Sequence, residues 1–190
     1  MIKPSKLFKD TFRKPISNGG LIVLTMLLVA CTVIETHGQN NFEPTKAWVL
    51  LPFQNYSGTP RANDKVEEIL ATILRNKGIN NLQVYQNQNA KNDIWLLMDD
   101  KRQQQDALAW ARQNNYNYGI TGNIEEWHYK TGVGGEPAVG LSLRIIEIPT
   151  GKVVWSVTGA KSGWGAETVS GTAQKLLRSL LSDLEIKTIS

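Results

Sequence analysis

The sequence predicts an α/β (α+β) sandwich, in which about three helices pack against a mixed sheet of about five strands. Two observations support this fold class. Short apolar runs alternate with amphipathic segments of helical spacing in the first half of the domain. Three β-rich runs then follow one another and indicate an antiparallel meander before a last helix. The expected order is β-α-β-α-β-β-β-α around one core, because 41% of the 190 residues are hydrophobic.

The first elements of the domain, which we expect to span residues 47–185, are a strand, a helix and a second strand. Residues 47–53 form a short apolar run that Pro52 closes, which is typical of a buried strand. Apolar residues at helical spacing then predict an amphipathic helix; they are Val66, Ile69, Leu70, Ile73 and Leu74. Gly78 can end this helix in a left-handed conformation. A short strand is expected around residues 82–85.

The remaining elements are a second helix, the meander and a third helix. Residues 99–114 form a Gln-rich stretch of good helix formers. The three β-rich runs lie at residues 118–129, 138–148 and 153–160, and Pro149-Thr150-Gly151 is the tight turn of a hairpin. The last helix has apolar residues at helical spacing, namely Val169, Ala173, Leu176, Leu177, Leu180 and Leu184.

The amino-terminal 30 residues have the layout of a signal peptide. A basic segment at residues 1–20 precedes an apolar run at residues 21–30 that only Thr25 interrupts. Even when the run is extended to Ile34 it has 14 residues, which is shorter than the roughly 17–25 that a membrane-spanning helix needs. The sequence therefore predicts an export signal over residues 1–30 and no permanent transmembrane helix.

Cys31, the only cysteine of the chain, directly follows this run. Leu28-Val29-Ala30-Cys31 resembles the bacterial lipobox, in which the cysteine is acylated before cleavage. The alternative is a chance cysteine in an ordinary signal peptide that is cleaved elsewhere. Residues 31–46 are then expected to be the lipidated cysteine and a flexible tether, because residues 32–45 are polar and lack periodicity. Thr32, in place of the retention signal Asp, implies sorting to the outer membrane.

Charge and titratable residues argue against several functions. Five of the 21 basic and one of the 17 acidic residues lie in the first 20, which leaves 16 of each and no net charge to attract nucleic acid. His37 and His128 have no second ligand at metal-binding spacing. Glu125 and Glu126 are consecutive in a predicted strand, so we expect them on opposite faces. We therefore expect no catalytic residue, no metal and no cofactor, and the protein is predicted not to be an enzyme.

Two glycine-rich loops are the candidate functional segments. Residues 131–137 (TGVGGEP) contain one acid, Glu136, and Ser162-Gly163-Trp164-Gly165 places a large indole between glycines before a helix. Trp164 either packs on the apolar face of that helix or lies exposed at a membrane interface. Glu136 is either a solvated loop carboxylate or an acid that lines a pore.

Several runs of the domain together resemble the PelC family, outer-membrane lipoproteins of the Pel exopolysaccharide export system. They are LLPFQNYS (50–57), TGNIEEWHYK (121–130), GEPAVG (135–140), GKVVWS (151–156), SGWG (162–165) and AQKLL (173–177). The resemblance covers most of residues 47–181. The domain also resembles a wider α/β group that includes the curli secretion lipoprotein CsgG and the amino-terminal domain of TolB.

The resemblance implies a function in guidance of a polymer. By this resemblance, Cys31 is expected to carry the lipid and Trp164 to face the inner leaflet of the outer membrane. Gly134 and Gly135 stand where the family resemblance leads us to expect an Asp, so Glu136 is the nearest acid for the opening of a ring. The family forms a dodecameric ring on the periplasmic side, beneath the outer-membrane porin that passes a cationic, amino-sugar polymer.

Three alternatives stay open at this point. The chain could be a lipoprotein that activates a peptidoglycan synthase, although those proteins usually carry a much longer tether. It could be a secretion lipoprotein of the curli type. A monomeric periplasmic enzyme is the third alternative, and it requires a catalytic cluster that the sequence does not display.

Overall fold

A seven-stranded mixed sheet forms the centre of the computed structural model, which describes residues 33–39, 41–86, 100–131 and 134–187. The strands are β1 (Val33–Gly38), β2 (Asn41–Phe42), β3 (Trp48–Leu50), β4 (Gln54–Asn55), β5 (Leu82–Val84), β6 (Tyr118–Tyr129), β7 (Pro137–Glu147), β8 (Lys152–Ser162) and β9 (Glu185–Ile186). The helices are α1 (Ala62–Asn76), α2 (Asp100–Gln113) and α3 (Val169–Leu180). The predicted α+β class is confirmed.

The sheet is open and mixed. Its strands follow the order β1-β8-β7-β6-β3-β5, and β4 also pairs with β6. The strands β6, β7 and β8 form the predicted antiparallel meander, and β1 adds to it antiparallel to β8. The strand β3 runs parallel to both β5 and β6. The two edges of this sheet are therefore β1 and β5, while β2 and β9 form a separate parallel pair.

The segment that was predicted to be a flexible tether contains two strands, so that prediction is wrong for residues 33–38 and 41–42. The strand β1 pairs with β8 over six residue pairs, from Val33 with Ala160 to Gly38 with Trp155. Phe42 of β2 is only 1% exposed. Residues 34–38 are exposed, so β1 is held by its backbone bonds to one neighbour and shows no buried, alternating pattern.

The two faces of the sheet carry different helices. The helices α1 and α3 cover one face and form the larger part of the core; their buried residues include Val66, Leu70, Leu74, Ala173, Leu176, Leu177 and Leu180. On the other face Ala107 and Ala111 of α2 pack with Val49, Leu51 and Ile148. Gly78 follows α1 with a φ of 107°, as predicted. None of the described helices is long and apolar enough to cross a membrane.

Two fully buried indoles differ in their hydrogen bonds. Nε1 of Trp48 donates to the Glu43 carbonyl at 3.0 Å, whereas Nε1 of Trp155 has no partner in the described structure. An unpaired buried donor costs about 1–3 kcal/mol. Both Trp48→Phe and Trp155→Phe are expected to lower the free energy of unfolding. The loss should be smaller for Trp155→Phe, by at least about 1 kcal/mol, because this change removes an unpaired donor. Chemical denaturation measures both values, and equal losses would contradict this expectation.

Candidate functional site

Three segments of the chain meet at one end of the sheet. The strand β1 begins there, where Val33 pairs with Ala160 near the end of β8. The turn between β6 and β7 lies beside them, because the Gly163 amide donates to the Pro137 carbonyl at 2.8 Å. We call this region the Trp164 end and define it by the start of β1, the described residues of the 130–137 turn and residues 162–168.

Trp164 is exposed at this end. Its side chain does not pack on the apolar face of α3, because the residue is 63% exposed. The glycines beside it are closely packed: a Cβ on Gly163 would lie 2.4 Å from the Thr172 side-chain hydroxyl, and one on Gly165 would lie 2.5 Å from the Gly134 backbone carbonyl oxygen. In the SGWG sequence the glycines on both sides of Trp164 thus pack closely against the domain, while the indole between them is exposed.

Glu167 fixes the position of the Trp164 loop. Its amide donates to the Trp164 carbonyl at 2.8 Å, and its carboxylate accepts hydrogen bonds from Lys175 at 2.6 Å and from Thr172 at 3.3 Å. The hydrogen bond from Lys175 lowers the pKa of the Glu167 carboxyl, so the group stays ionised. Thr168, the next residue, caps α3 by accepting from an amide in its first turn. Glu167 was not among the residues predicted from the sequence, although an acid directly before a Thr that can cap a helix is a recognisable signal.

Glu136 also lies at the Trp164 end and is exposed. Its carbonyl accepts from the Lys130 amide at 2.8 Å, which closes the turn between β6 and β7. The ammonium of Lys130 donates to the Ser162 hydroxyl at 2.6 Å. Within the described residues the Glu136 carboxylate has no ion pair, so its charge faces solvent. Gly134 and Gly135 both have positive φ, 115° and 52°, which explains why glycines precede this acid.

The prediction that Glu125 and Glu126 lie on opposite faces is wrong. The register of β6 with β7 shifts there: Ile124 pairs with Leu141 and Glu126 pairs with Gly140, so Glu125 is an extra residue. Such a β-bulge breaks the alternation of side chains. The Cβ atoms of both glutamates lie 3.4 Å from the position of a Cβ on Gly140. The two carboxylates therefore share one face of the sheet.

A shallow cavity of about 370 Å³ lies over this bulge. Glu35 of β1 lines it together with Glu125 and Glu126, over a floor that includes Gly140. This cluster was not predicted, because Glu35 was expected to lie in a flexible tether. Among the described residues, no group of three or more His, Cys, Asp or Glu side chains has the geometry of a metal site.

The residue predicted to carry the lipid, Cys31, lies outside the described residues. Its place in the chain is nevertheless informative, because it stands two residues before Val33, the first residue of β1. Of the three predicted site residues, the structure thus places Trp164 and Glu136 at the Trp164 end, where β1 also begins.

Comparison with solved structures identifies close relatives of this fold. The PelC dodecamer from Paraburkholderia phytofirmans matches with a TM-score of 0.69 and 31% identity, over 83% of this chain and 100% of that chain. A substituted variant of it matches with the same TM-score and 30% identity. Lipoprotein GNA1162 from Neisseria meningitidis shares the fold, with a TM-score of 0.52 and 13% identity over 72% of this chain and 96% of that one. No protein-family model and no curated protein matches the chain.

Proposed function

The chain belongs to the PelC family, and we propose that it is a lipid-anchored, ring-forming subunit of a Pel-type export system. In this proposal it sits on the periplasmic face of the outer membrane and guides a cationic exopolysaccharide to a porin, without catalysing a reaction. The 31% identity to a PelC dodecamer, over the whole of that chain, supports a subunit that assembles into a ring.

The observation that carries the membrane part of the proposal is the position of the Trp164 end. Only Thr32 lies between Cys31 and Val33, the first residue of β1, and two residue steps span at most about 7 Å. An acylated Cys31 therefore has to hold this end of the sheet close to the lipid. The exposed indole of Trp164 at the same end suits an interface, where its ring can enter the apolar layer and its N–H can reach polar groups.

The short link also separates this proposal from an activator of a peptidoglycan synthase. A flexible tether of 14 residues was expected from the sequence, but residues 33–38 are part of the sheet. In this proposal the domain lies close to its membrane, because only Thr32 separates an acylated Cys31 from the first residue of β1. An activator of the synthase needs a much longer tether to reach its partner through the cell wall.

Glu136 is the proposed acid of the ring's opening. Repetition of one exposed carboxylate around a symmetry axis produces a focused negative potential, which attracts a cationic polymer. Because residues 21–190 carry 16 basic and 16 acidic residues, this potential has to come from the placement of charges. The location of Glu136 at the Trp164 end puts the proposed opening on the membrane side of the ring.

A complementation experiment tests the proposal. Deletion of the gene is expected to abolish secretion of the polymer, and the parent gene is expected to restore it. Glu136→Gln should lower secretion several-fold, because it removes a charge without altering the shape of the turn. Glu68→Gln on α1, an exposed acid outside the Trp164 end, is the matched control and should secrete normally.

Two results would contradict different parts of the proposal. Normal secretion after deletion of the gene would refute the role in export. Normal secretion by Glu136→Gln, with the same protein level as the parent, would refute the role of this acid and leave the export function standing.

A further inference from the structure

Among the described strands, β1 is an edge of the sheet that pairs on one side only. In an antiparallel pair about half of the backbone groups of an edge strand point away from its neighbour, and no hydrogen bond of the described residues uses them on the outer side of β1. The strand (VIETHG) contains neither Lys nor Pro, and no bulge interrupts its pairing with β8. Lys, Pro and bulges are among the devices by which natural proteins block edges, and the one acidic side chain of β1 is Glu35. Such an edge is a template for another strand.

The strand β5 is the opposite edge of the same sheet. On its three residues, the carbonyls of Leu82 and Val84 accept only side-chain donors, from Arg75 at 3.4 Å and from Gln83 at 3.1 Å. A pairing strand can replace such bonds. The pairings also fix its direction: β1, β8, β7 and β6 alternate, and β6, β3 and β5 are parallel. It follows that β5 runs opposite to β1.

The orientation of the Trp164 end restricts how two copies of the chain can associate. If β1 paired with β1 of a second copy, a two-fold axis would relate the copies, and an antiparallel pair of this kind would turn one Trp164 end away from the membrane. A contact between β1 and β5 keeps both Trp164 ends level, because these strands run in opposite directions within each copy. This step rests on the proposed function, which places every Trp164 end at the same membrane.

We propose that the outer edge of β1 pairs antiparallel with the outer edge of β5 in the next copy of this chain. The contact is head-to-tail, so each copy offers one edge to each neighbour, and repetition of the contact closes a ring. The sheet then continues from subunit to subunit, and both free edges of every copy are paired.

The register of the strands predicts which side chains meet across this junction. Gln83 pairs with Val49, which lies on the face that α2 covers. Glu35 and His37 lie on the same face, because His37 is in one row with Ser156, Arg144 and Thr121, and Thr121 is bonded to Gln104 of α2. Thr36 points to the opposite face. Gln83 should therefore come close to Glu35 or His37 of the neighbour, and not to Thr36.

Disulfide cross-linking of the full-length protein in membranes tests this junction. We expect Glu35→Cys or His37→Cys, each combined with Gln83→Cys, to give on oxidation a ladder of covalent multimers that contains most of the protein. Thr36→Cys combined with Gln83→Cys is the matched control; its thiols lie on opposite faces, so it should stay monomeric. Each single variant should also stay monomeric, as should the parent chain, whose only cysteine is Cys31.

The size of the native complex in detergent separates the failures. A ring-sized complex without a ladder in either double variant would overturn the β1–β5 junction and leave the proposed function intact. A dimer from Glu35→Cys or His37→Cys alone would overturn it in favour of a β1–β1 contact. A monomeric parent protein would overturn both the junction and the ring.

Discussion

Gly122→Ala is expected to destabilise the domain severely, whereas Gly140→Ala is expected to be tolerated. Both glycines lie in the central antiparallel pair, in β6 and β7. A Cβ on Gly122 would lie 2.0 Å from the Ser142 carbonyl oxygen and 2.6 Å from the ring of Phe53. The first atom is backbone in a paired strand, and Phe53 is fully buried. Neither can move aside without disrupting the sheet.

The expected loss for Gly122→Ala is about 3 kcal/mol or more, at the upper end for an overpacked core. That is a large share of the roughly 5–15 kcal/mol that stabilises a domain of this kind. For Gly140 the nearest atoms to an added Cβ are those of Glu125 and Glu126 at 3.4 Å, and the change should cost less than about 1 kcal/mol. Denaturation monitored by circular dichroism measures both; similar midpoints would contradict the steric argument.

Cys31→Ser is expected to move the protein almost completely from the membrane fraction to the soluble fraction. Acyl chains contribute about 0.8 kcal/mol per buried CH₂, and several chains on one residue exceed what one exposed indole can supply. Thr32→Ser is the matched control and should stay with the membrane. Trp164→Ala should also stay there, because the acyl chains remain. Fractionation followed by immunoblotting measures the distribution.

Retention of Cys31→Ser in the membrane fraction would contradict acylation as the anchor. Mass spectrometry of the protein from membranes gives an independent check, because an acylated amino-terminal cysteine carries the mass of its fatty acids. An unmodified thiol at Cys31 would refute lipidation directly, whatever the fractionation shows.

The helices and the meander could be predicted from the sequence because their burial is periodic. Residues such as Leu70 and Leu177 are buried against one side of the sheet, and that burial repeats along the chain at helical spacing. The strand β1 could not be predicted in this way. Its residues 34–38 are exposed, so burial left no pattern to detect, and only the branched residues Val33, Ile34 and Thr36 favoured a strand.

Individual residues of the candidate site could be predicted from the sequence, but their positions relative to one another could not. Glycines around Trp164 and before Glu136 drew attention to both loops. Their common location with the start of β1 depends on strand register, which no local signal encodes. The location of Glu125 and Glu126 on one face likewise arises from a β-bulge. A bulge exists only relative to its partner strand, where one residue lies opposite two, so it cannot be read from one strand's sequence.

The direction of β1 determines how the protein resists force on its anchor. If Cys31 is acylated, as proposed, a pull on its acyl chains reaches the domain at Val33, the first residue of β1. The bonds of β1 to β8 lie across the strand axis over six residue pairs, so they are sheared together and none is peeled open ahead of the others. A force along the strand axis is therefore shared by the whole strand before any single bond has to break.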